Sequence, residues 1–175
     1  MFSVKKTVMA AFFIALGVVL PVMLHSVPNA GSVLLPMHIP VMMCGIICGF
    51  PYGLICGVLT PVTSFLLTGM PPAAFLVQMI CELAAYGLIS SLLTRFVKTG
   101  NTCANIFIAL IGAMLAGRVV FGVLNALIFR AGSYSFQIWL ASAFVTALPG
   151  IVIQLVLIPA VVIALRRTKL IEANG

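Results

Sequence analysis

Apolar runs separated by short polar or turn-forming segments make up most of the chain. We interpret six of these runs as membrane-spanning helices, because about 20 apolar residues cross a hydrocarbon core about 30 Å thick. The predicted spans are residues 7–25, 39–50, 52–67, 72–94, 103–129 and 136–165. We therefore expect an all-α integral membrane protein, a compact bundle of six transmembrane helices that forms a single domain over residues 1–175.

Small residues recur within these runs at intervals of four, a spacing that lets helices approach closely in a membrane. The longest ladder crosses the turn between the second and third spans, at Gly45, Gly49, Gly53 and Gly57. A shorter pair, Ala11 and Ala15, lies on one face of the first span. That pair is suited to contact with another helix, either within this protein or from a partner.

The cations set the orientation that we expect for the spans. Most of the nine Lys and Arg residues flank the ends of apolar runs, namely Lys5, Lys6, Arg95, Lys98, Arg166, Arg167 and Lys169. Because cytoplasmic loops carry an excess of Lys and Arg, both termini are expected in the cytoplasm. Arg130, in the turn predicted for residues 130–135, is then the cation left on the outer side.

Composition agrees with a lipid environment and argues against other partners. Hydrophobic residues form 63% of the chain and charged residues 6%, whereas soluble domains carry about 25% charged residues. The net charge of +7 does not indicate nucleic acid, because the cations flank apolar runs rather than gathering on one face. The six spans leave no room for a soluble catalytic domain.

A carboxylate inside the fourth predicted span is the main functional signal. Glu82 is one of two acidic residues in the chain, and the other, Glu172, lies in the C-terminal tail. A charge at that depth costs at least about 3 kcal/mol, so it should face a partner, a cavity or a substrate. Arg118, well inside the fifth span, is the expected partner. Their depths below the outer ends of their spans are roughly 14 Å and 17 Å at 1.5 Å per residue.

Further polar side chains are expected near this pair. Gln78, Glu82 and Tyr86 share a helical face by their spacing of four, and Arg118 and Asn125 share one by a spacing of seven. Together these groups predict a small-molecule pocket that opens outward. The candidate substrate-binding residues are Asn29, His38, Gln78, Glu82, Tyr86, Arg118, Asn125, Trp139 and Gln154. The alternative is that the Glu–Arg pair neutralises itself and only fixes helix register.

The sequence offers few residues for catalysis or metal binding. It contains no Asp and two His, so neither an H-E-x-x-H zinc site nor a Ser-His-Asp triad can form. The five cysteines lie in apolar spans without a Cys-x-x-Cys pair and are interpreted as packing thiols. No glycine-rich phosphate loop occurs, so we expect no cofactor and no metal. A six-span intramembrane enzyme that uses Glu82 as base and Arg118 to hold an anionic substrate is an alternative hypothesis.

Six short segments, together with the pattern of six spans and cytoplasmic ends, carry a resemblance to a known family. They are residues 11–15, 35–41, 49–53, 82–87, 116–118 and 148–154. On these segments the chain resembles the substrate-binding S component of an energy-coupling factor (ECF) transporter, an importer of the ABC type. The resemblance extends over essentially the whole chain.

This resemblance implies a multi-pass protein of a bacterial-type cell membrane that binds a vitamin or related micronutrient from outside. Ala11 and Ala15 would dock on a transmembrane coupling protein, which is carried by two cytoplasmic ATPases. The loop from Asn29 to His38 would gate a site lined by spans four, five and six. The protein would then be a transporter subunit and not an enzyme, with ATP hydrolysis on separate chains.

Two further interpretations and the nature of the substrate stay open. Met37-His38 is a feature of metal-uptake S components when it begins the chain, but here it is internal. A purely structural membrane protein with a Glu82–Arg118 pair is the other alternative. Arg118 suits a carboxylate ligand, whereas a ligand would be neutral or cationic if Glu82 already neutralises that arginine.

Overall fold

The computed structural model describes residues 3–129 and 134–168. The predictions made for Arg130, Lys169 and Glu172 fall outside these residues. Within them the chain forms helices and no strand. The helices are α1 Val4–Met23, α2 Ala30–Leu34, α3 His38–Cys48, α4 Tyr52–Thr68, α5 Ala73–Phe96, α6 Thr102–Leu124 with a π-helical extension Asn125–Phe129, α7 Phe136–Leu140 with a π-helical extension Ala141–Val145, and α8 Leu148–Arg167.

Five helical segments in the described residues are long and apolar enough to cross a membrane. They are Val4–Met23, Ala30–Cys48, Ala73–Phe96, Thr102–Ile128 and Leu148–Arg167. Helix α4, with 17 residues, and the segment Phe136–Val145 are apolar but shorter. These helices are typical of a multi-pass membrane protein, while the exact count of six spans and the side of each terminus stay predictions.

The region predicted as the sixth span, residues 136–165, contains two helices instead of one. Its first part ends at Val145, and α8 begins at Leu148 after the short turn at Thr146 and Ala147. Pro149 explains the break, because proline has no N–H to donate to the preceding turn and disfavours helical backbone in the residue before it. Proline is tolerated in the first turn of a helix, so α8 begins there.

Helix ends follow local sequence signals. Gly49 ends α3 with φ +73° and Gly69 ends α4 with φ +72°, a backbone region that glycine enters without the strain of a Cβ. Asn101 begins α6, and its side-chain oxygen accepts a hydrogen bond from the Cys103 N–H at 3.0 Å. Ser135 does the same for α7, accepting from the Ile138 N–H at 3.3 Å.

Helix α3 lies at the centre of the bundle. In the segment Ala30–Cys48, 78% of the spanning window is buried, against 22% to 39% in the other four membrane-length segments. Helices α1, α4, α5 and α8 pack around α3, and each exposes apolar side chains on its outer face. His38, the first residue of α3, is therefore held inside the bundle and not at its surface.

Glycines bring α3 and α4 into backbone contact with α5. Gly53 and Gly87 lie so close that a Cβ on Gly87 would meet the Gly53 carbonyl, and a Cβ on Gly57 would meet the Leu83 carbonyl. Gly45 packs against Ser90 and Gly87 in the same interface. Three of the four glycines in the ladder thus support close helix packing, whereas Gly49 serves as the end of α3.

Substituting Gly57 by Ala is expected to destabilise this interface by about 1–3 kcal/mol, the usual cost of overpacking. The added Cβ would meet the Leu83 carbonyl and lie 2.8 Å from Cα of Ala84, and backbone atoms yield less easily than side chains. The measurement is the thermal unfolding midpoint in detergent. Gly31→Ala is the control, since nothing lies within 4 Å of a Cβ there. Equal midpoints for both variants would contradict the close packing.

Candidate functional site

Three charged or titratable side chains from three helices meet inside the bundle. Glu82 lies near the middle of α5, and its Oε1 accepts a hydrogen bond from Nη1 of Arg118 on α6 at 3.3 Å. The same oxygen lies 3.4 Å from Nε2 of His38 at the start of α3. All three are buried, with 4%, 5% and 2% of their surfaces exposed. We call these residues the ion cluster; Glu82 and Arg118 meet as their predicted depths suggested.

The ion cluster leaves polar atoms without partners. Within residues 3–129 and 134–168, neither Nη2 of Arg118 nor Nδ1 of His38 has a hydrogen-bond partner. An unpaired polar atom in a low-dielectric interior costs about 1–3 kcal/mol, and more if it is charged. Tyr86 packs its ring edge-to-face on the His38 ring at 4.8 Å between centroids and contributes apolar surface. The cluster therefore retains capacity to bind a further polar group.

A cavity of about 270 Å³ adjoins the ion cluster between α5, α6 and α8. Its polar lining comes from Tyr86, Arg118 and Gln154. The remaining lining is apolar and consists of Ile111, Met114, Leu115, Phe144, Ile151 and Leu155. An apolar chamber with a few convergent polar groups is typical of a small-molecule site. We call it the arginine cavity.

The segment between α1 and α3 lies against the start of α8, beside these groups. Gln154 donates from Nε2 to the Leu35 carbonyl at 3.5 Å. A Cβ on Gly150 would lie 2.6 Å from the Val33 carbonyl oxygen, so that glycine lets α2 approach α8. A second cavity, of about 210 Å³, is lined by His38 and lies between this segment, the end of α1 and the start of α5.

Comparison with known protein families identifies the family of this chain. A family model described as the substrate-specific component of ECF transporters matches residues 5–162, which include all three residues of the ion cluster. The chain belongs to that family. No curated protein and no solved structure matches it. The resemblance noted from the sequence is thereby confirmed.

Membership of the family defines the protein's role at a coarse level. An ECF substrate-specific component is the substrate-binding subunit of a transporter and not an enzyme. Such a component works with transmembrane and ATPase components. The ion cluster and the arginine cavity of this S component therefore require an explanation in terms of binding rather than of catalysis.

Trp139 of this S component contacts the backbone of Arg118 and is not part of the ion cluster. Its Nε1 donates to the backbone carbonyl of Arg118 at 2.9 Å, and its indole lies over Gly122. The ring also packs edge-to-face on Phe144, with 5.5 Å between centroids, and Phe144 lines the arginine cavity. Trp139 thus positions two residues of the cavity wall and itself borders a separate cavity of about 350 Å³.

Three other predicted residues of the S component also lie outside the ion cluster. Asn125 is buried and donates from Nδ2 to the Phe121 carbonyl at 2.8 Å, which satisfies it within its own helix. Gln78 is buried one turn before Glu82 on α5. Asn29 is exposed and begins α2, where its carbonyl accepts a hydrogen bond from the Val33 N–H at 3.0 Å.

Sequence reasoning missed the apolar wall of the arginine cavity. Ile111, Leu115 and Arg118 are spaced four and three residues apart, and so share a helical face on α6; Ile151, Gln154 and Leu155 do the same on α8. Searching for apolar neighbours on the face of each polar residue would have identified the four apolar residues of these two sets. Phe144 gave no such signal, because it lies beyond the helix break at Thr146.

Gly117→Ala is expected to weaken ligand binding by the S component, because the new Cβ would meet the Tyr86 ring. Tyr86 is 1% exposed and lines the arginine cavity, so its ring has to move toward the cavity or His38. We expect a severalfold rise in the dissociation constant of the ligand that copurifies. The control is Gly112→Ala on the same helix, where the Cβ meets only the end of the Leu93 side chain. Equal affinities would show that Tyr86 does not shape the site.

Proposed function

We propose that this S component captures a vitamin or related micronutrient from outside a bacterial-type cell and releases it into the cytoplasm through a coupling protein and two ATPases. The observation that carries the proposal is the buried guanidinium of Arg118, which borders a largely apolar cavity and has an unpaired Nη2 in the described structure. A buried ionisable residue of this kind in a membrane protein is by default a candidate for a functional site. Six spans with both termini in the cytoplasm form part of the same proposal.

Substrate binding is assigned to the ion cluster and the arginine cavity together. Tyr86, Arg118 and Gln154 line the cavity. Glu82 holds the guanidinium, and His38 contacts Glu82 from α3. Trp139 supports the site indirectly, by bonding to the Arg118 carbonyl and packing on Phe144. The segment from Asn29 to His38 is proposed as the gate, because it lies on the start of α8 through Leu35 and Gln154.

Docking on the coupling protein is assigned to the face of α1 that carries Ala11 and Ala15. Both alanines are exposed, so they do not pack against the protein's own helices. Small residues on a lipid-exposed face allow a partner helix to approach closely without displacing large side chains. This exposure favours the docking hypothesis over internal packing.

Mass spectrometry of small molecules released from gently purified protein tests the proposal. We expect one compound at about one molecule per protein, and we expect the same compound to raise the thermal unfolding midpoint. Stabilisation follows from binding to the folded state, by about 2.7 kcal/mol at 100 times the dissociation constant. An empty protein that no vitamin stabilises would contradict the proposal and favour a structural Glu82–Arg118 pair.

Metal analysis of the same sample tests the metal-uptake alternative. In the described part of the chain, no group of three His, Cys, Asp or Glu side chains is placed to hold a metal ion. Recovery of a transition metal at about one ion per protein, together with no organic compound, would favour that alternative.

A further inference from the structure

The charges of the ion cluster limit what the arginine cavity can accept. Arg118 is protonated at all relevant pH values, and an ionised Glu82 carries the opposite charge. With His38 neutral, the buried cluster is neutral. Each charge that is added to a buried site without compensation costs several kcal/mol, so the ligand's charge has to be balanced from within the cluster or by a proton.

The unpaired Nη2 of Arg118 selects an anionic group. Its other terminal nitrogen, Nη1, already donates to Glu82. A guanidinium N–H bonds most strongly to a carboxylate or phosphate oxygen. Because the surrounding wall is apolar, the rest of the ligand should be an uncharged ring or short branched chain. The volume of about 270 Å³ is slightly below the range of about 300–1,000 Å³ that is typical of ligand sites, so the ligand is small.

Binding such an anion to the cluster would leave one uncompensated negative charge. The His38–Glu82 pair can compensate this negative charge by taking up a proton. The two side chains are in contact at 3.4 Å, and either of them can hold the proton. With that proton, Arg118 and the pair carry one net positive charge, which the ligand neutralises. We propose that the arginine cavity binds a small monoanion together with one proton, which the His38–Glu82 pair takes from solution. This proposal rests on the proposed function of the site.

The groups that face His38 support this assignment of the proton. From α5, Glu82 contacts its Nε2 and Tyr86 packs on its ring. From α6, Arg118 reaches it through Glu82, and from α8 the neutral Gln154 lies nearby on the Leu35 carbonyl. His25 is exposed, in the connection between α1 and α2.

The remaining titratable groups of the described helices lie on α3 itself or on the helices around it, whereas the polar and ring contacts of His38 in the described structure are those with Glu82 and Tyr86. Lys5 is about 24 Å along α1 from Pro21, which borders the same cavity as His38, and Arg166 is about 18 Å along α8 from Gln154. Tyr52 on α4 bonds to Ser3 at the start of α1. The others are Cys44 and Cys48 on α3 itself, Cys81 next to Glu82 on α5, and Lys6, Cys56, Arg95, Cys103 and Arg167 on the surrounding helices.

Uptake of a proton on binding determines whether ligand affinity rises or falls with pH. A proton is a reactant in binding, so raising its concentration favours the complex. Affinity for the anion should therefore rise as pH falls. In the pH range where the free pair lacks the proton and the complex holds it, one proton is taken up on binding. The dissociation constant then falls about tenfold for each unit by which the pH falls, which is about 1.4 kcal/mol.

Matched acid and neutral probes test the charge of the ligand. Nicotinate with nicotinamide, and pantothenate with pantothenol, differ only in the ionisable group. Each is titrated calorimetrically into the purified full-length protein. We expect at least one acid to bind and its neutral counterpart to bind at least about 10-fold more weakly. A neutral compound that binds as well as its acid, or failure of both acids to bind, overturns the inference. Recovery of a neutral or cationic vitamin by copurification would overturn it while leaving the proposed function intact.

The number of protons taken up on ligand binding is measured in the wild-type protein. Titrations of the bound acid in two buffers of different ionisation enthalpy, from about pH 6 to about pH 8, where histidine changes charge, give the number of protons taken up. We expect a value near one at the upper end. A value of zero throughout overturns the inference, and this measurement needs no variant.

Glu82→Gln gives the sharpest contrast. With a neutral glutamine, Arg118 alone neutralises the anion, so the variant should bind the acid without a proton. We expect affinity at about pH 8 to be at least as high as in the wild type and to vary less than about twofold down to about pH 6. Ser90→Ala is the control: it removes another buried polar group of α5 and should keep the wild-type pH dependence. An unchanged pH dependence in Glu82→Gln would contradict the role of the pair.

Discussion

Replacing Arg118 by Ala is expected to weaken binding of the copurified ligand by at least about 10-fold, or about 1.4 kcal/mol. The variant loses a charge-assisted hydrogen bond, which contributes about 1.5–3 kcal/mol. It also leaves Glu82 buried without its 3.3 Å partner, and an uncompensated buried charge destabilises a fold by about 3–5 kcal/mol. Affinity is measured by calorimetry, with the unfolding midpoint as a check on folding.

The double variant Arg118→Ala with Glu82→Gln separates the two effects. Removing both charges restores neutrality, so stability should recover relative to Arg118→Ala while the loss of affinity remains. Arg95→Ala is the control for an arginine at the end of α5, where the side chain is exposed and lies over the Phe96 ring at 5.8 Å. Wild-type affinity in a folded Arg118→Ala variant would remove the arginine from the site.

Introducing Leu at both Ala11 and Ala15 is expected to reduce uptake by at least about 10-fold, while ligand binding stays unchanged. Two bulky side chains would keep a partner helix from approaching the exposed face of α1, and close packing of small residues drives helix association in membranes. Uptake is measured in cells that carry the full transporter, and binding is measured on the purified S component.

Ala74→Leu, an exposed alanine in the first turn of α5, is the matched control for that double substitution and should transport normally. Loss of binding as well as uptake in the Ala11/Ala15 variant would mean that this face supports the protein's own fold. Normal uptake would mean that the coupling protein docks elsewhere.

Depth along the predicted spans was sufficient to expect the contact between Glu82 and Arg118. Both residues are charged and lie in long apolar runs. Their similar depths, together with the requirement that buried charges be neutralised, predict that they pair. His38 had no comparable signal for its contact with Glu82. It is separated from Glu82 by 44 residues, and its place inside the bundle depends on the burial of α3 between its neighbours.

The break at Thr146 and the placement of Trp139 show where pattern alone failed. Residues 136–165 form one continuous apolar run, and hydropathy does not register the local effect of Pro149 on the backbone. Trp139 is a predicted pocket residue, but in the structure it bonds to the Arg118 backbone and does not line the arginine cavity. Its contact with the Arg118 carbonyl depends on Gly122 leaving space for the indole, which is a property of two packed helices and not of either sequence segment.

The position of Trp139 also has a practical consequence for optical measurements. It is the one tryptophan in the chain, so the indole emission of the purified protein arises from a single place. That place is 2.9 Å from the backbone of Arg118 and in contact with Phe144 on the cavity wall. The protein thus carries an intrinsic fluorophore beside its proposed binding site, and we expect ligand entry to change its emission without an attached label.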